Sequence, residues 1–181
     1  EQDRANYDQG YATDLIADAA IEVLTAHDPA KPLFLYVPFN APHTPLQAPK
    51  SYIERYASMP DRRRRIHAAM VTCMDDAIGR ILAALEPNGF EARNTLVFFC
   101  SDNGGMVQYG SNGSLRGQKG RLYEGGVRVP AILSWPGTIA EGAIVDTPLH
   151  IVDLFPTLTR RAGLTAHEGK PLDGEDAWPA I

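Results

Sequence analysis

The sequence TLVFFC at residues 95–100, followed by SDNGG at residues 101–105, decides the fold class of this chain. The first stretch is a short apolar run rich in residues that favour β-strands, and it ends abruptly at Asp102 and Asn103. In open α/β sheets, ligands bind at the carboxyl ends of strands. A carboxylate beside a carboxamide at that position predicts a site for an oxygen-preferring cation, calcium or magnesium, although Asp-Asn-Gly is also ordinary turn chemistry.

Composition places the chain among globular proteins with a core of their own. It has 181 residues, a hydrophobic fraction of 44% and a formal net charge of −5, which predicts one domain. The mild acidity argues against general nucleic-acid binding, and no apolar run is long enough to cross a bilayer. Cys73 and Cys100 lack the spacing of metal ligands, so we expect two buried thiols.

Helical patterns alternate with short apolar runs along the chain. Helices are predicted at residues 13–27, with Thr13 as the N-cap, at 61–85 and at 153–163, and buried strands at 33–39, 95–100 and 129–135. Such alternation predicts an α/β fold, a layered sheet with helices on both faces. The glycine-rich loop at 101–126 is long for a connection without its own structure, and such loops are often functional.

Two cationic side chains are candidates for contact with an anion. Lys119 lies between glycines in the long loop, where a lysine beside a cation site suits a tetrahedral oxyanion; that segment by itself favours a solvated loop lysine. His43 lies between two prolines after an apolar run. A histidine held in this way can donate to an anion or move a proton near neutral pH, or it can pack against an aromatic ring.

Other charged residues favour structural roles. Glu124 and Arg128 are predicted to pair and fix the loop, and Asp75 or Asp76 to act as a cap or loop anchor, because adjacent helical residues point in different directions. The arginine run at residues 62–65 stands at a helix start, where the helix dipole disfavours cations. It indicates either a solvated face or a patch that attracts a polyanionic substrate.

A set of short motifs follows one order along the chain: YATD at 11–14, APHTP at 41–45, AMV at 69–71 with MD at 74–75, SDNGG at 101–105, LRGQKG at 115–120, YEGGVRVP at 123–130 and DLFPT at 153–157. Taken together, these motifs resemble the sulfatase family of the alkaline phosphatase superfamily. Each motif alone is weak, whereas the ordered set is highly specific and covers nearly the whole chain. The resemblance implies a partial alkaline-phosphatase-like domain.

The resemblance also assigns roles to individual residues. It implies that Asp102 and Asn103 are ligands of an active-site Ca²⁺ (or Mg²⁺), and that Lys119 and His43 are the catalytic and substrate-binding residues that contact the sulfate ester. In the family, the nucleophile is a formylglycine hydrate made from a cysteine, sometimes a serine, in a Cys-x-Pro/Ala-x-Arg motif. Neither cysteine of this chain stands in that motif.

We therefore expect residues 1–181 to be the C-terminal portion of a sulfatase catalytic domain, without the nucleophile-bearing N-terminal portion and the small C-terminal domain. The parent enzyme would be an arylsulfatase-like sulfuric-ester hydrolase that acts on a small sulfate ester or a glycan. The isolated chain would be inactive, would bind calcium weakly and would self-associate, because missing strands leave a sheet edge and apolar helix faces uncovered.

Two other functions fit the same residues. One is a phosphonate or phosphodiester hydrolase of the same superfamily, which could share the metal pair and the oxyanion lysine. The other is a truncated, inactive paralogue that binds a partner or a sulfated glycan. Aryl, steroid and carbohydrate sulfates all fit as substrates, and family members are often periplasmic, secreted or lysosomal.

Overall fold

The computed structural model describes residues 9–165 and 169–181 and divides the chain into two compact units, 1–134 and 135–181. The first unit contains α1 (Ala12–Ala26), α2 (Lys50–Glu54), α3 (Arg62–Ala83), β1 (Val97–Cys100), α4 (Glu124–Val127) and β2 (Ala131–Ser134); the second contains α5 (Leu154–Arg161). Short 3₁₀ helices cover Glu86–Asn88, Ala92–Asn94, Ile151–Asp153 and Trp178–Ala180. None of the helices in the described residues is long and apolar enough to cross a membrane.

Helices α1 and α3 pack through small side chains and form the core of the first unit. The buried apolar residues of these two helices are Ala17, Ala20, Leu24, Ala69, Met70, Cys73 and Ala77. On α3 they recur at the spacing of one helical face, which confirms the predicted helix at 61–85. Asp61 caps α3, since its carboxylate accepts a 2.8 Å hydrogen bond from the backbone N–H of Arg64.

The start of α1 differs from the prediction. Tyr11, not Thr13, occupies the N-cap position, and its side chain makes no cap hydrogen bond. Thr13 lies inside the first turn and is 1% exposed. The prediction that Thr13 is the N-cap is therefore wrong, because its side chain is buried within the helix instead of capping the helix end.

The short helix α2 is anchored to α3 by a carboxylate. The hydroxyl of Tyr52 donates to Asp76 Oδ2 at 2.9 Å, and Arg55 Nη1 lies 3.3 Å from the same oxygen. The hydrogen bond to Asp76 raises the pKa of Tyr52 to about 12. The predicted anchoring role for one residue of the Asp75–Asp76 pair is confirmed, and the anchor is Asp76.

The sheet formed by the described residues has two strands. Strands β1 and β2 run antiparallel, with Val97 opposite Ser134 and Cys100 opposite Ala131. The predicted strand at residues 33–39 is wrong, because no strand in the described part of the chain pairs with this segment. Its side chains alternate between half-buried and exposed, and Phe34 and Tyr36 are 82% and 76% exposed.

The second unit is built around α5, whose predicted position at 153–163 is confirmed. The helix is followed by Gly163 with a φ of +69°, a left-handed conformation that favours glycine. The backbone N–H of Ala177 donates to the buried Thr157 hydroxyl at 2.8 Å, and Arg160 Nη1 lies 2.9 Å from Asp176 Oδ2. These contacts hold the C-terminal residues against α5.

Candidate active site

The predicted metal ligands follow directly after β1. The backbone N–H of Ser101 still donates to Pro130 O at 3.3 Å, so the chain leaves the sheet only at the next residue. Asp102 is exposed and Asn103 is half-buried. The Ser101 hydroxyl donates to the backbone carbonyl of Asn103 at 3.0 Å and tightens the turn. Strand β1 thus presents both predicted ligands at its carboxyl end.

The glycines after this turn bring two backbone segments together. Gly104 N–H donates to Gly126 O at 3.0 Å. A Cβ on Gly104 would lie 1.9 Å from the carbonyl oxygen of Gly125, a distance that no real side chain allows. A Cβ on Gly126 would lie equally close, 1.9 Å, to the carbonyl oxygen of Arg121. These positions need glycine because the start and the end of the long loop pack backbone on backbone.

Lys119 is tied to the same turn through its backbone. Its N–H donates to Gly105 O at 3.3 Å, two residues beyond Asn103. The residue is half-buried, and its ammonium makes no hydrogen bond or ion pair with another residue in 9–165 or 169–181. The structure therefore brings three of the four predicted site residues onto one loop assembly and leaves the lysine charge available there.

Asn112 holds this assembly together, and the sequence reasoning missed it. Its Oδ1 accepts from Gly105 N–H at 2.9 Å, while its Nδ2 donates to Gly105 O and to Gly117 O, both at 3.0 Å. One amide thus joins the Asp102–Asn103 turn to the segment that carries Lys119. No sequence signal marks this role, because an asparagine among glycines and serines is also typical of a turn.

His43 lies on a separate loop and is exposed. Its Nδ1 is 2.9 Å from the backbone carbonyl of Thr44. A carbonyl only accepts, so Nδ1 acts as the donor in this contact. The next residue, Thr44, lines a cavity of about 450 Å³ together with Gln108 and Tyr109 of the long loop. This cavity places the His43 loop beside the loop that carries the other candidates.

The donor set fits part of a calcium or magnesium site. Asp102 and Asn103 offer hard oxygen atoms on adjacent residues. Within the described ranges there is no cluster of three or more His, Cys, Asp or Glu residues that could hold a metal ion. Since calcium takes roughly six to eight oxygen ligands, the described residues supply a minority of the ligands that such a site needs.

The two cysteines have environments that suppress nucleophilicity. Burial raises the pKa of Cys73, which is 1% exposed between α1 and α3. Burial, followed by the charge of Asp102, raises the pKa of the half-buried Cys100. Both are free thiols, and a raised pKa keeps them protonated at neutral pH. Complete burial is confirmed for Cys73, whereas Cys100 is only half-buried.

The predicted pair of Glu124 and Arg128 is present and weak. Arg128 Nη1 lies 3.4 Å from Glu124 Oε2, and both side chains are more than 60% exposed. Surface pairs of this kind contribute little stability. The pair therefore adds less to the shape of the loop than the backbone contacts of the glycines do.

Comparison with known proteins gives the family. The sulfatase family model matches residues 1–164. The chain belongs to the sulfatase family. Arylsulfatase J of Mus musculus is 42% identical over 100% of this chain and 31% of that protein, and the steryl-sulfatase of Mus musculus is 37% identical over 96% of this chain and 28% of that protein. This chain thus spans about a third of the length of the curated relatives it matches.

A solved structure gives the fold. The crystal structure of Ps i-CgsB in complex with k-i-k-neocarrahexaose superimposes with a TM-score of 0.92 and 34% identity, covering 99% of this chain and 40% of that chain. The α/β fold class is therefore confirmed as part of the alkaline-phosphatase-like fold of the sulfatases. The roles of Asp102, Asn103, Lys119 and His43 remain predictions.

Proposed function

We propose that the whole protein containing this chain is an arylsulfatase-like hydrolase of sulfate monoesters. The observation that carries the proposal is the hydrogen bond from Lys119 N–H to Gly105 O. It supports the proposal because it joins the segment that carries Lys119 to the turn that carries Asp102 and Asn103. Relatives named arylsulfatase and steryl-sulfatase support sulfate esters as the substrate class.

In this proposal the cationic groups act on the charge of the sulfate. Lys119 is a point charge for its non-bridging oxygens, where preorganised positive charge stabilises the transition state. His43 binds the ester through Nε2, which donates when the ring is protonated and accepts a proton when the ring is neutral. Its Nδ1 contact with Thr44 O fixes the ring orientation.

The cofactor assignment is also a proposal. Members of the family generally use a metal ion and a formylglycine. We assign Asp102 and Asn103 as ligands of Ca²⁺ (or Mg²⁺), which when bound neutralises negative charge on the sulfate. We assign the remaining ligands and the formylglycine to parts of the whole protein outside residues 1–181, which would make this chain the C-terminal portion of the catalytic domain.

The test is a substrate panel on the whole protein. We expect turnover of 4-nitrophenyl sulfate that strongly exceeds turnover of bis(4-nitrophenyl) phosphate and of a phenylphosphonate ester. Asp102→Ala and chelation should each abolish it, whereas Asp28→Ala, at an exposed carboxylate on another loop, should not. Preferential cleavage of the phosphorus esters, or full activity of Asp102→Ala, would contradict the proposal. The 181-residue chain alone should be inactive in the same assay and should bind calcium weakly.

We also propose that the 181-residue chain by itself self-associates through residues 33–39 of a second copy. This segment has no strand partner among the described residues, its side chains alternate between half-buried and exposed, and it exposes Phe34 and Tyr36. Unpaired extended backbone with apolar side chains recruits another strand. Sedimentation velocity should show dimers or larger species that Phe34→Ser/Tyr36→Ser removes. Leu122→Ser, at a residue that is 97% exposed elsewhere, is the control and should leave association unchanged.

A further inference from the structure

The arginine run at the start of α3 splits into two engaged and two unengaged side chains. Arg64 Nη1 donates to Gly110 O at 3.0 Å, and Arg65 Nε donates to Met59 O at 2.9 Å. The guanidinium groups of Arg62 and Arg63 make no hydrogen bond or ion pair with any residue in the part of the chain that the structure describes. The first pair fastens neighbouring loops, whereas the second pair has no structural contact to explain it.

The location of Arg62 and Arg63 is unfavourable for stability. They occupy the first turn of a 22-residue helix, where the partial positive charge of the helix N-terminus repels cations. The cap itself is provided by Asp61, which bonds the N–H of Arg64. Two unpaired positive charges at this end therefore weaken the helix slightly unless an anion binds beside them.

Both arginines line a cavity beside the loop that carries His43. Its volume of about 450 Å³ lies within the range of roughly 300–1,000 Å³ that is typical of small-molecule sites. Arg62 and Arg63 line it together with Thr44, the residue after His43. Ile66 and Tyr109 add apolar surface, and Gln108 adds an amide. The cavity thus combines two arginines with apolar and amide side chains, a lining that suits a sugar ring and its hydroxyls.

We propose that this cavity, defined by Arg62, Arg63 and Thr44, binds a second anionic group of an oligosaccharide whose scissile sulfate ester lies at His43 and Lys119. Guanidinium groups match the oxygen geometry of sulfate and carboxylate, the two anionic groups of sulfated glycans. The proposal rests on the proposed function and narrows its substrate class to a multiply charged sulfated glycan.

A binding measurement tests this independently of turnover. The probe is a fluorescent heparin-derived hexasaccharide, followed by anisotropy with the 181-residue chain. Arg62→Gln/Arg63→Gln should raise the Kd about tenfold, the effect of losing two exposed charge contacts. Lys31→Gln/Lys170→Gln removes the same charge from exposed positions outside the cavity and should change the Kd less than about twofold. Equal losses in both double variants would overturn the proposal.

The arginine variant also needs a fold control and a competitor. Because these cations oppose the helix dipole, Arg62→Gln/Arg63→Gln should leave the Tm unchanged or raise it slightly. A lowered Tm that accounts for the loss of binding would overturn the proposal, since the arginines would then be structural. The proposal would also be overturned if a single-stranded DNA of equal charge bound as tightly as the hexasaccharide.

Kinetics on the whole protein separate this inference from the proposed function. Arg62→Gln/Arg63→Gln should raise KM for the hexasaccharide about tenfold and leave kcat/KM for 4-nitrophenyl sulfate unchanged, because the aryl ester has no second anionic group. If the unmodified protein does not hydrolyse 4-nitrophenyl sulfate, the proposed function is wrong. Normal aryl turnover with an unchanged hexasaccharide KM would defeat only the cavity assignment.

Discussion

The helical layer of α1 and α3 and the long loop at residues 101–126 both depend on small residues, but for opposite reasons. In the helices, buried alanines such as Ala69 and Ala77 pack their methyl groups between the helices. In the loop, Gly104 and Gly126 are required because any Cβ would strike a carbonyl oxygen. The helical layer is held by side-chain packing, whereas the loop is held largely by backbone contacts and the Asn112 amide, which leave the Lys119 ammonium unengaged.

The largest expected effect is that of a methyl group inside the loop. Gly104→Ala puts a Cβ 1.9 Å from Gly125 O, so the two segments must separate, at a cost of about 3 kcal/mol. Urea unfolding of the 181-residue chain measures this cost. A loss below about 0.5 kcal/mol, the size of an ordinary surface substitution, would show that the backbone contact does not hold the loop.

A smaller loss is expected when the amide that joins the two loop segments is removed. Asn112→Ala leaves the N–H of Gly105 and the carbonyl of Gly117 without their partner, which costs about 1–2 kcal/mol. Asn112→Asp should cost at least as much, since it turns a carboxylate oxygen toward both carbonyls. Asn94→Ala is the matched control, because no side-chain hydrogen bond of Asn94 exists among the described residues. Equal stability of the Asn112 and Asn94 variants would show that the Asn112 amide does not hold the two loop segments together.

The same Gly-to-Ala change should have the opposite sign in the helical layer. Gly79 lies inside α3, and a Cβ there meets nothing within 4 Å. Gly79→Ala should therefore stabilise the chain by about 0.5–1 kcal/mol, because alanine has the higher helix propensity. When Gly79→Ala and Gly104→Ala are measured in the same unfolding experiment, the comparison shows whether only the loop requires glycine. A destabilising Gly79→Ala would show that the helix also needs glycine and would contradict this difference between the two regions.

The smallest effect is a pH dependence at the α2–α3 contact. The hydrogen bond to Asp76 raises the pKa of Tyr52 to about 12 from its ordinary value of 10.0. The folded state thus favours the protonated phenol, and this contribution is fully present below pH 10 and lost as the pH rises toward 12. Tyr52→Phe should flatten the stability–pH curve between these values. An unchanged slope would mean that the hydrogen bond is not maintained in solution.

The sequence predicted the features that depend on local residue patterns, and it missed those that depend on contacts between distant segments. Helix α3 was predicted because its apolar residues repeat at helical spacing, and Asp102 and Asn103 because a polar pair ends a β-forming run. The segment at 33–39 was predicted as a strand from its apolar character alone, yet a strand exists only with a neighbour to receive its hydrogen bonds. The role of Asn112 was not predicted, because side-chain hydrogen bonds to distant backbone groups produce no regular pattern in the sequence.

One crossed measurement tests most directly whether the loop serves chemistry while the helices serve stability. In the whole protein, Lys119→Met should lower kcat for 4-nitrophenyl sulfate about 10²–10³-fold, as loss of a charge stabiliser does, with the Tm unchanged. Leu24→Ala, at a residue that is 2% exposed in the helical layer, should cost about 3 kcal/mol of stability with kcat unchanged below the Tm. Full turnover in Lys119→Met, or an inactive but folded Leu24→Ala, would contradict this division of roles.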